Sequence, residues 1–279
     1  MSRVKIVTDS SNGIPPNVIE EYGITLVPIQ VQFGTESYKE GVDLSWEEFY
    51  RRLDEPVLPT TSQPAPGDFV NAYKGLVGTC DQVLSIHLTS KGSGTCQSAK
   101  LAAGMIDGVD ISIVDTNTAS MGTGLIVIAA AEAARAGRTA GEIMDIIKRG
   151  MDSTSVFVTL PTLKYLRRCG RVQQVQAMVA SLLSIKPILS TRDGLVEAIE
   201  RVRTFPASVR RVVDLAAVAC NGHAKRIAVM HTNALEDARS LLEQVSRSIS
   251  FETAYLCEMG GSMAVHGGPG MMGVAVTQV

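Results

Sequence analysis

The segment Gln82-Val83-Leu84-Ser85-Ile86-His87-Leu88-Thr89-Ser90-Lys91-Gly92-Ser93-Gly94-Thr95 decides the fold predicted for this chain. Residues 82–88 form an apolar run that predicts a buried strand, and residues 96–103 are rich in small residues that favour a helix. A glycine-hydroxyl loop that opens a helix presents backbone N–H groups and short hydroxyls to one point, where the helix dipole also favours negative charge. The segment therefore predicts an α/β fold with an anion-binding loop.

Strand and helix signals alternate through the first half of the chain. The predicted strands are Val4–Thr8, Ile24–Gln32, residues 82–88 and Ile111–Asp115. The predicted helices are Asn17–Tyr22, a short helix after the N-cap Ser45, residues 96–103, and an Ala-rich helix that runs to about Ala136. This alternation predicts a largely parallel sheet in an α/β fold.

The pattern changes near Gly150, where we place the boundary between two predicted domains, residues 1–152 and 153–279. The second half is predicted to contain the strands Ser155–Leu160, Ile185–Leu189, Leu195–Val202, Arg226–His231, Phe251–Cys257 and Val274–Val279. Its predicted helices are Pro161–Arg168, Phe205–Val218 and Ala234–Ser246, and Met259–Gly270 is predicted to be a loop. The turn Arg192-Asp193-Gly194 predicts antiparallel pairing of the strands beside it.

The composition limits the functional class. With 279 residues the chain can bury a sizeable core, and its net charge of −2 argues against an electrostatically driven nucleic-acid-binding protein. The five cysteines have no C-x-x-C spacing, which fits reduced thiols. No signal peptide precedes the first predicted strand, and the longest mainly apolar run, Leu125–Ala134, is too short to span a bilayer. We therefore expect a cytoplasmic protein.

Known nucleotide and metal motifs do not fit this sequence. There is no G-x-x-x-x-G-K-[ST] motif, and Gly268–Gly273 matches G-x-G-x-x-G but precedes the last predicted strand instead of opening a helix. The four histidines lack H-x-x-x-H spacing, so we predict no metal site. His87, on a predicted strand, is interpreted as a core residue. Neither a nucleotide cofactor nor a metal is expected.

Short polar clusters follow several predicted strands of the first half. They are Thr8-Asp9-Ser10-Ser11, Thr60-Thr61-Ser62-Gln63-Pro64, Ser93-Gly94-Thr95 and Asp115-Thr116-Asn117. Ligands bind at the carboxyl ends of strands in open α/β sheets, so these clusters are candidates for one shared anion site. The alternative is that they only cap helices and fill turns.

His266 and Ser93 carry the remaining alternatives. The glycines after His266 allow a ligand to approach closely, and an imidazole can donate a hydrogen bond to an anion, although an incidental turn histidine is equally compatible. Ser93 and His266 could also form a hydrolytic triad with an aspartate. That interpretation is weaker, because Lys91 and Thr95 stand where a nucleophile elbow needs glycine.

Arg171 and several methionines are the remaining candidate functional residues. Arg171 follows Gly170, which would end the preceding helix, so its side chain could reach a cleft or a partner; the alternative is a solvated surface charge. The methionines suit a pocket for a flexible apolar ligand or an ordinary core, and they include Met178, Met259, Met263, Met271 and Met272.

In their order along nearly the whole chain, these motifs resemble the DegV family of fatty-acid-binding proteins. The resemblance is carried by Thr8-Asp9-Ser10, Thr61-Ser62-Gln63-Pro64, Ser93-Gly94-Thr95 with Gln97-Ser98-Ala99, Leu163-Lys164-Tyr165-Leu166 with Gly170-Arg171, Ile185-Lys186-Pro187-Ile188 and His266-Gly267-Gly268-Pro269-Gly270. It implies an N-terminal α/β/α domain with a parallel sheet, a C-terminal α/β domain with a mixed sheet, and a ligand between them. The departures, such as Gly92 for a leucine and Cys169 for a glycine, leave the implied carboxylate ligands in place.

The resemblance also implies roles for individual residues. It assigns the fatty-acid carboxylate to Thr61, Ser93 and His266, with Ser62, Gly94 and Thr95 beside them, and it places Arg171 at the pocket mouth or the partner surface. The protein would be a non-enzymatic subunit, without cofactor or metal, that presents a long-chain fatty acid to a separate ATP-dependent kinase for acyl-phosphate formation. Transient contact with a membrane is compatible with this role, and a serine acyl hydrolase or a binder of another amphipathic acid are the alternatives.

Overall fold

The computed structural model describes residues 3–53, 55, 57–166 and 185–279. The strands in these ranges are β1 (Val4–Asp9), β2 (Thr25–Val27), β3 (Gln30–Phe33), β4 (Glu36–Lys39), β5 (Thr60–Ser62), β6 (Gln82–His87), β7 (Asp110–Asp115), β8 (Ser155–Thr159), β9 (Lys186–Arg192), β10 (Leu195–Val202), β11 (His223–His231), β12 (Ser250–Glu258) and β13 (Met272–Thr277). The α-helices are α1 (Pro16–Tyr22), α2 (Trp46–Arg52), α3 (Pro66–Lys74), α4 (Thr95–Ala103), α5 (Met121–Arg135), α6 (Ala140–Ser153), α7 (Phe205–Ala219), α8 (Leu235–Ser248) and α9 (Gly261–Gly267).

The first sheet is parallel throughout, with the strand order β2-β1-β6-β7. Successive side chains of β6 point to opposite faces, so Val83 packs with α3 and α4 while Leu84 packs with α5. Helices therefore cover both faces, which explains why β6 is apolar without alternation. The carboxyl ends of β1 and β6 lead into the loops that hold the candidate site residues.

The second sheet is mixed and has the order β10-β9-β8-β13-β11-β12. Only β11 and β12 pair in parallel; the other neighbours are antiparallel. α7 and α8 cover one face of this sheet, and α5 packs against strands β8, β11 and β13 on the other. The predicted α/β fold, with a parallel sheet in the N-terminal part and a mixed sheet in the C-terminal part, is confirmed.

Helix α5 lies between the two sheets and packs against both. Its residues 121–131 are all buried, which is the reason for the long apolar run seen in the sequence. The hydrophobic cluster around α5 joins Leu84 of the first sheet to Met230 and Ala275 of the second. No helix within the described ranges combines the length and apolar character needed to cross a bilayer.

A third, antiparallel sheet has the order β4-β3-β5 and packs against α2 and α9. Strand β3 of this sheet begins inside the segment Ile24–Gln32, which the sequence predicted to be a single strand. Pro28 divides that segment, because proline cannot donate to a strand ladder, and β2 and β3 join different sheets. This small sheet carries Thr61 on β5.

Two predictions in the second half of the chain are wrong. Residues Met259–Gly270, predicted to be a loop, contain helix α9, whose glycines obscured the helical pattern. The segment predicted as the helix Pro161–Arg168 is irregular over residues 161–163 and forms a turn over residues 164–166, and its last two residues lie outside the described ranges. Helices α3 and α6 were not predicted. The first correction matters most, since it moves His266 from a loop to the last turn of a helix.

Candidate functional site

One cavity lies where the parallel sheet, the mixed sheet and the small third sheet meet. It contains about 1110 Å³ of space free of protein atoms, its open mouth included. Its polar lining side chains are Ser11, Thr61, Ser62, Gln63, Thr89, Ser93, Ser120, Ser190, Thr191, Ser262 and His266. Its apolar lining side chains are Ile29, Leu88, Ala119, Val156, Val158, Leu160, Leu166, Leu189, Val196, Met259, Met263 and Met271.

Thr61 and His266 meet at the polar part of this cavity. The Oγ1 atom of Thr61 lies 3.3 Å from Nε2 of His266. Thr61 is held on β5 by antiparallel pairing with Val31 of β3. Ala264 and Val265 of α9 pack into the core of the same small sheet, and His266, the next residue of the helix, lines the cavity. The fold therefore brings together two candidate residues that are 205 positions apart in the chain.

The Ser93 loop forms a neighbouring part of the polar wall. The Ser93 Oγ atom is 2.8 Å from Oγ1 of Thr95 and accepts a hydrogen bond from the Thr95 N–H at 3.3 Å. Thr61, Ser62, Ser93 and His266 line the cavity, whereas Gly94 and Thr95 do not: Gly94 caps α4 and Thr95 is buried behind Ser93. Three chain segments thus converge on one site.

Arg171, predicted at the pocket mouth or the partner surface, lies outside the described residues. Within those residues, neither lysine nor arginine lines the cavity. The nearest cationic side chain in the Ser93 loop is Lys91, whose Nζ atom donates to the backbone carbonyl of Asp193 at 2.5 Å. His266 is therefore the basic residue of the described lining.

A hairpin from the mixed sheet closes one side of the cavity. Strands β9 and β10 are joined by Asp193 and Gly194, which both have positive φ, at 48° and 77°. The tip rests on the loop after β6, where the Thr89 hydroxyl donates to the Gly194 carbonyl at 2.8 Å. Leu189 and Val196 of the hairpin line the cavity from this side.

A row of buried, hydrogen-bonded polar side chains lies behind Ser11. The sequence did not reveal these residues as a unit. The backbone N–H of Ser11 donates to the Asp9 carboxylate at 3.1 Å, and the Ser11 hydroxyl donates to the same oxygen. The other carboxylate oxygen is 2.9 Å from Nδ1 of His87, whose Nε2 atom is 2.7 Å from the Ser85 hydroxyl. This row of hydrogen bonds ends at Tyr73, whose hydroxyl lies 2.8 Å from the Ser85 hydroxyl. Asp9 is thereby held in place by hydrogen bonds next to the cavity wall.

Glu40 is a second buried carboxyl behind the cavity. Its Oε1 atom accepts a hydrogen bond from the backbone N–H of Ser262 at 2.6 Å, and Oε2 accepts one from the Ser10 hydroxyl. A side chain at Gly260 would collide with Oε1, so glycine is required for this approach. Burial raises the pKa of Glu40 from 4.5 to about 7, although hydrogen bonds from Ser10 and Ser262 oppose the shift.

Ser120 shows backbone strain at the cavity wall. Its φ and ψ are 52° and −142°, a conformation that residues other than glycine rarely adopt. Ser120 precedes α5 directly, and its hydroxyl lies 3.5 Å from the Met230 sulfur across the gap to the mixed sheet. Strain of this kind concentrates at functional sites, because the surrounding structure must hold it.

The cavity has the chemistry for an amphipathic acid. The hydroxyls of Thr61 and Ser93 and the imidazole of His266 can donate hydrogen bonds to an anionic head group. Aliphatic side chains and three methionines form the apolar part of the lining, and methionine adapts easily to a flexible apolar chain. The sequence could not identify these apolar residues, since they come from both sheets.

Comparison with known proteins identifies the family. The family model described as "Uncharacterised protein, DegV family" matches residues 3–279. A DegV domain-containing protein of Caldanaerobacter subterraneus is 33% identical over 275 residues, which are 98% of each chain.

Two solved structures are similar over the full length. A DegV family protein from Thermus thermophilus, whose structure is described as showing fatty acid binding, has a TM-score of 0.89 and 31% identity, and covers 99% of this chain and 100% of its own. DegV of Bacillus subtilis, described as a fatty acid binding protein, also has a TM-score of 0.89 and 31% identity, over 100% of both chains. The chain belongs to the DegV family.

Proposed function

We propose that this protein binds a long-chain fatty acid, with the carboxylate at Thr61, Ser93 and His266 and the acyl chain among the apolar lining residues. The observation that carries the proposal is the 3.3 Å contact between Thr61 and His266 at the polar part of a largely apolar cavity. Ser62, Gly94 and Thr95 would support the head group from behind and beside it. The Thermus and Bacillus structures support the same ligand class, since both are described as fatty acid binding.

The energetics favour a long apolar ligand. Burying an acyl tail contributes about 0.8 kcal/mol per methylene, so roughly fourteen methylenes release about 11 kcal/mol before ordering costs. A buried carboxylate is unfavourable unless hydrogen bonds or a histidine balance it, and Thr61, Ser93 and His266 supply these groups. Association and ordering consume much of the gain, which leaves a reversible complex.

A carrier role follows from this arrangement. The bound acid would be presented to a separate ATP-dependent fatty acid kinase in the cytoplasm, which forms the acyl phosphate, while this chain supplies no nucleotide site. The ligand would lie between the two proposed domains, residues 1–152 and 153–279. Arg171 is the residue that we assign to the kinase interface or the pocket mouth.

The hydrogen bonds favour a carrier over the serine acyl hydrolase. Ser93 bonds to Thr95, and the hydroxyl within hydrogen-bond distance of His266 belongs to Thr61. A nucleophile needs its general base at that distance. Ester hydrolysis by the wild-type protein that disappears in Ser93→Ala would contradict the carrier role.

Native mass spectrometry of the purified protein, followed by organic extraction, tests fatty acid binding. We expect either a co-purified fatty acid or uptake of added palmitate or oleate at a one-to-one ratio. A protein that is empty and takes up neither acid contradicts the proposal.

The kinase role needs a separate assay. Palmitate-loaded protein, ATP and a fatty acid kinase are expected to yield acyl phosphate, and Arg171→Ala is expected to reduce this yield while binding palmitate normally. Loaded protein that supports no acyl-phosphate formation would remove the kinase role and leave fatty acid binding intact.

A further inference from the structure

Glu40 is a buried carboxyl group whose hydrogen-bond partners are neutral. Only 4% of the residue is exposed, and its oxygens accept hydrogen bonds from the Ser10 hydroxyl and the Ser262 N–H. No lysine, arginine or histidine of the described residues forms an ion pair with it. Asp9, the other carboxyl behind the cavity, is paired with His87 at 2.9 Å. A buried carboxylate without a cation is costly, so burial favours the protonated form of Glu40.

The position of Glu40 connects it to the ligand site. It follows β4 and binds the first turn of α9, the helix that carries Ser262, Met263 and His266 into the cavity wall. Ser10, its other partner, accepts a hydrogen bond from the Ile29 N–H at 2.9 Å, and Ile29 also lines the cavity. The carboxyl group therefore lies directly behind two parts of the lining.

The other charged and titratable groups around Glu40 come from six elements. Asp9 on β1, paired with His87 on β6, raises the Glu40 pKa further by its negative charge. Tyr50 on α2 bonds to Glu258 on β12, which lies 2.9 Å from His231 on β11. His266 lies on α9 itself. A carboxylate placed beside Thr61 adds one more negative charge to this region, and a nearby like charge favours protonation of Glu40, which has no cationic partner among the described residues.

From this geometry we propose that Glu40 is a positioning residue whose carboxyl group becomes fully protonated, with a proton from solvent, when the fatty-acid carboxylate binds. The inference rests on the proposed function, because it needs an anionic head group at Thr61 and His266. Binding and protonation are linked, so the protein binds fatty acid more tightly as the pH falls through the range in which Glu40 titrates. The site would accordingly prefer a ligand in conditions that supply a proton.

Calorimetric titration of palmitate at pH 7 in buffers of different ionisation enthalpy counts the protons directly. We expect the wild-type protein to take up about half a proton per ligand, because a group with a pKa of about 7 is half protonated there before binding. Glu40→Gln, which is permanently neutral, is expected to take up less, and the difference between the two proteins cancels protons contributed by the ligand or by His266. Glu20→Gln, which replaces an exposed carboxyl on α1, is the matched control and is expected to behave as wild type.

Affinity measured between pH 6.5 and 8.5 gives a second readout. The affinity of the wild type is expected to fall by up to about tenfold per pH unit above 7, the limit for one coupled proton, with a shallower fall for Glu40→Gln. Equal proton uptake and equal pH slopes in the two proteins would overturn the role of Glu40 and leave fatty acid binding standing. A wild type that takes up no proton overturns it even if Glu40→Gln does not fold, and a wild type that binds no fatty acid at any pH removes both proposals.

Discussion

The Nε2 atom of His266 lies 3.3 Å from the Oγ1 atom of Thr61, although 205 positions separate the two residues in the chain. The contact joins the last turn of α9 to the edge strand β5 of the small sheet. A site that depends on such a contact exists only in the folded protein.

The Thr61 hydroxyl is expected to matter for affinity. Thr61→Ala removes one hydrogen bond to a charged head group, which is worth about 1.5–3 kcal/mol, so the affinity for palmitate should fall by about tenfold to a hundredfold. Thr61→Ser keeps the hydroxyl and should retain most of the affinity. Thr60→Ala is the control, since Thr60 is exposed and contacts Gln32 at 3.3 Å. Equal affinity of Thr61→Ala and Thr60→Ala would exclude Thr61 from the head-group site.

The hairpin tip at Gly194 is expected to tolerate no side chain. A Cβ atom there would lie 2.6 Å from the Thr89 hydroxyl, and the φ of +77° is itself unfavourable for other residues. Gly194→Ala should lower the free energy of unfolding by at least about 2 kcal/mol and speed palmitate dissociation. Gly34→Ala isolates the backbone effect, because Gly34 has a φ of +61° and open space around it; about 1 kcal/mol is expected there. Urea unfolding compares the two, and equal losses would show that the hairpin contact contributes nothing.

Relief of the strain at Ser120 should stabilise the protein. Ser120→Gly removes a backbone conformation that costs about 1–3 kcal/mol, against an entropy loss of about 0.5–1 kcal/mol for glycine. We expect a gain of about 1 kcal/mol in urea unfolding. Ser246→Gly, at an exposed position within α8, should instead lose about 1 kcal/mol. Similar losses in both variants would mean that the φ of Ser120 carries no strain.

The raised pKa of Glu40 predicts that the stability of the protein depends on pH. Its pKa is about 7 in the folded protein and its ordinary value is 4.5, so between these pH values the folded state holds a proton that the unfolded chain has released. This contribution to stability is complete below pH 4.5 and is lost as the pH rises through 7. Over that range the free energy of unfolding falls by up to about 3 kcal/mol. Glu40→Gln should therefore be more stable than wild type at pH 8, and its advantage should shrink toward pH 5.

Chemical denaturation at several pH values between 5 and 8 measures this difference, with Glu20→Gln as the exposed control. A constant difference between Glu40→Gln and wild type across that range would contradict a raised pKa of Glu40 in the folded protein.

The elements with local signals were predictable from sequence. β6 and α4 are apparent because an apolar run, a glycine loop and small helix-forming residues follow one another, and the Asp193-Gly194 turn predicts the β9–β10 hairpin. Helix α9 was missed, because four of the residues from Gly260 to Gly268 are glycines and its stability comes from packing of Ala264 and Val265.

The candidate site was predictable only as a set of motifs. Thr61, Ser93 and His266 each lie in a recognisable cluster, and their grouping came from the family resemblance. Asp9 appeared only as a member of the Thr8–Ser11 cluster, and Glu40 had no signal of its own, since a carboxyl group is identified as buried only when its neighbours are known. The apolar lining was unpredictable for a similar reason: Leu88 and Leu189 come from different sheets and look like ordinary core residues.

Helix α5 has a consequence for how a ligand reaches the cavity. Each sheet covers one face of this helix. Separation of the two sheets would therefore expose a continuous apolar surface to water. Complete separation of the two sheets is therefore an unfavourable way for a ligand to enter and leave the cavity. The tip of the β9–β10 hairpin is held to the loop after β6 by polar contacts, and the unit of β3, β4, β5 and α9 has only a small core. We expect these parts to move more easily than the two sheets separate, while the central helix stays in place.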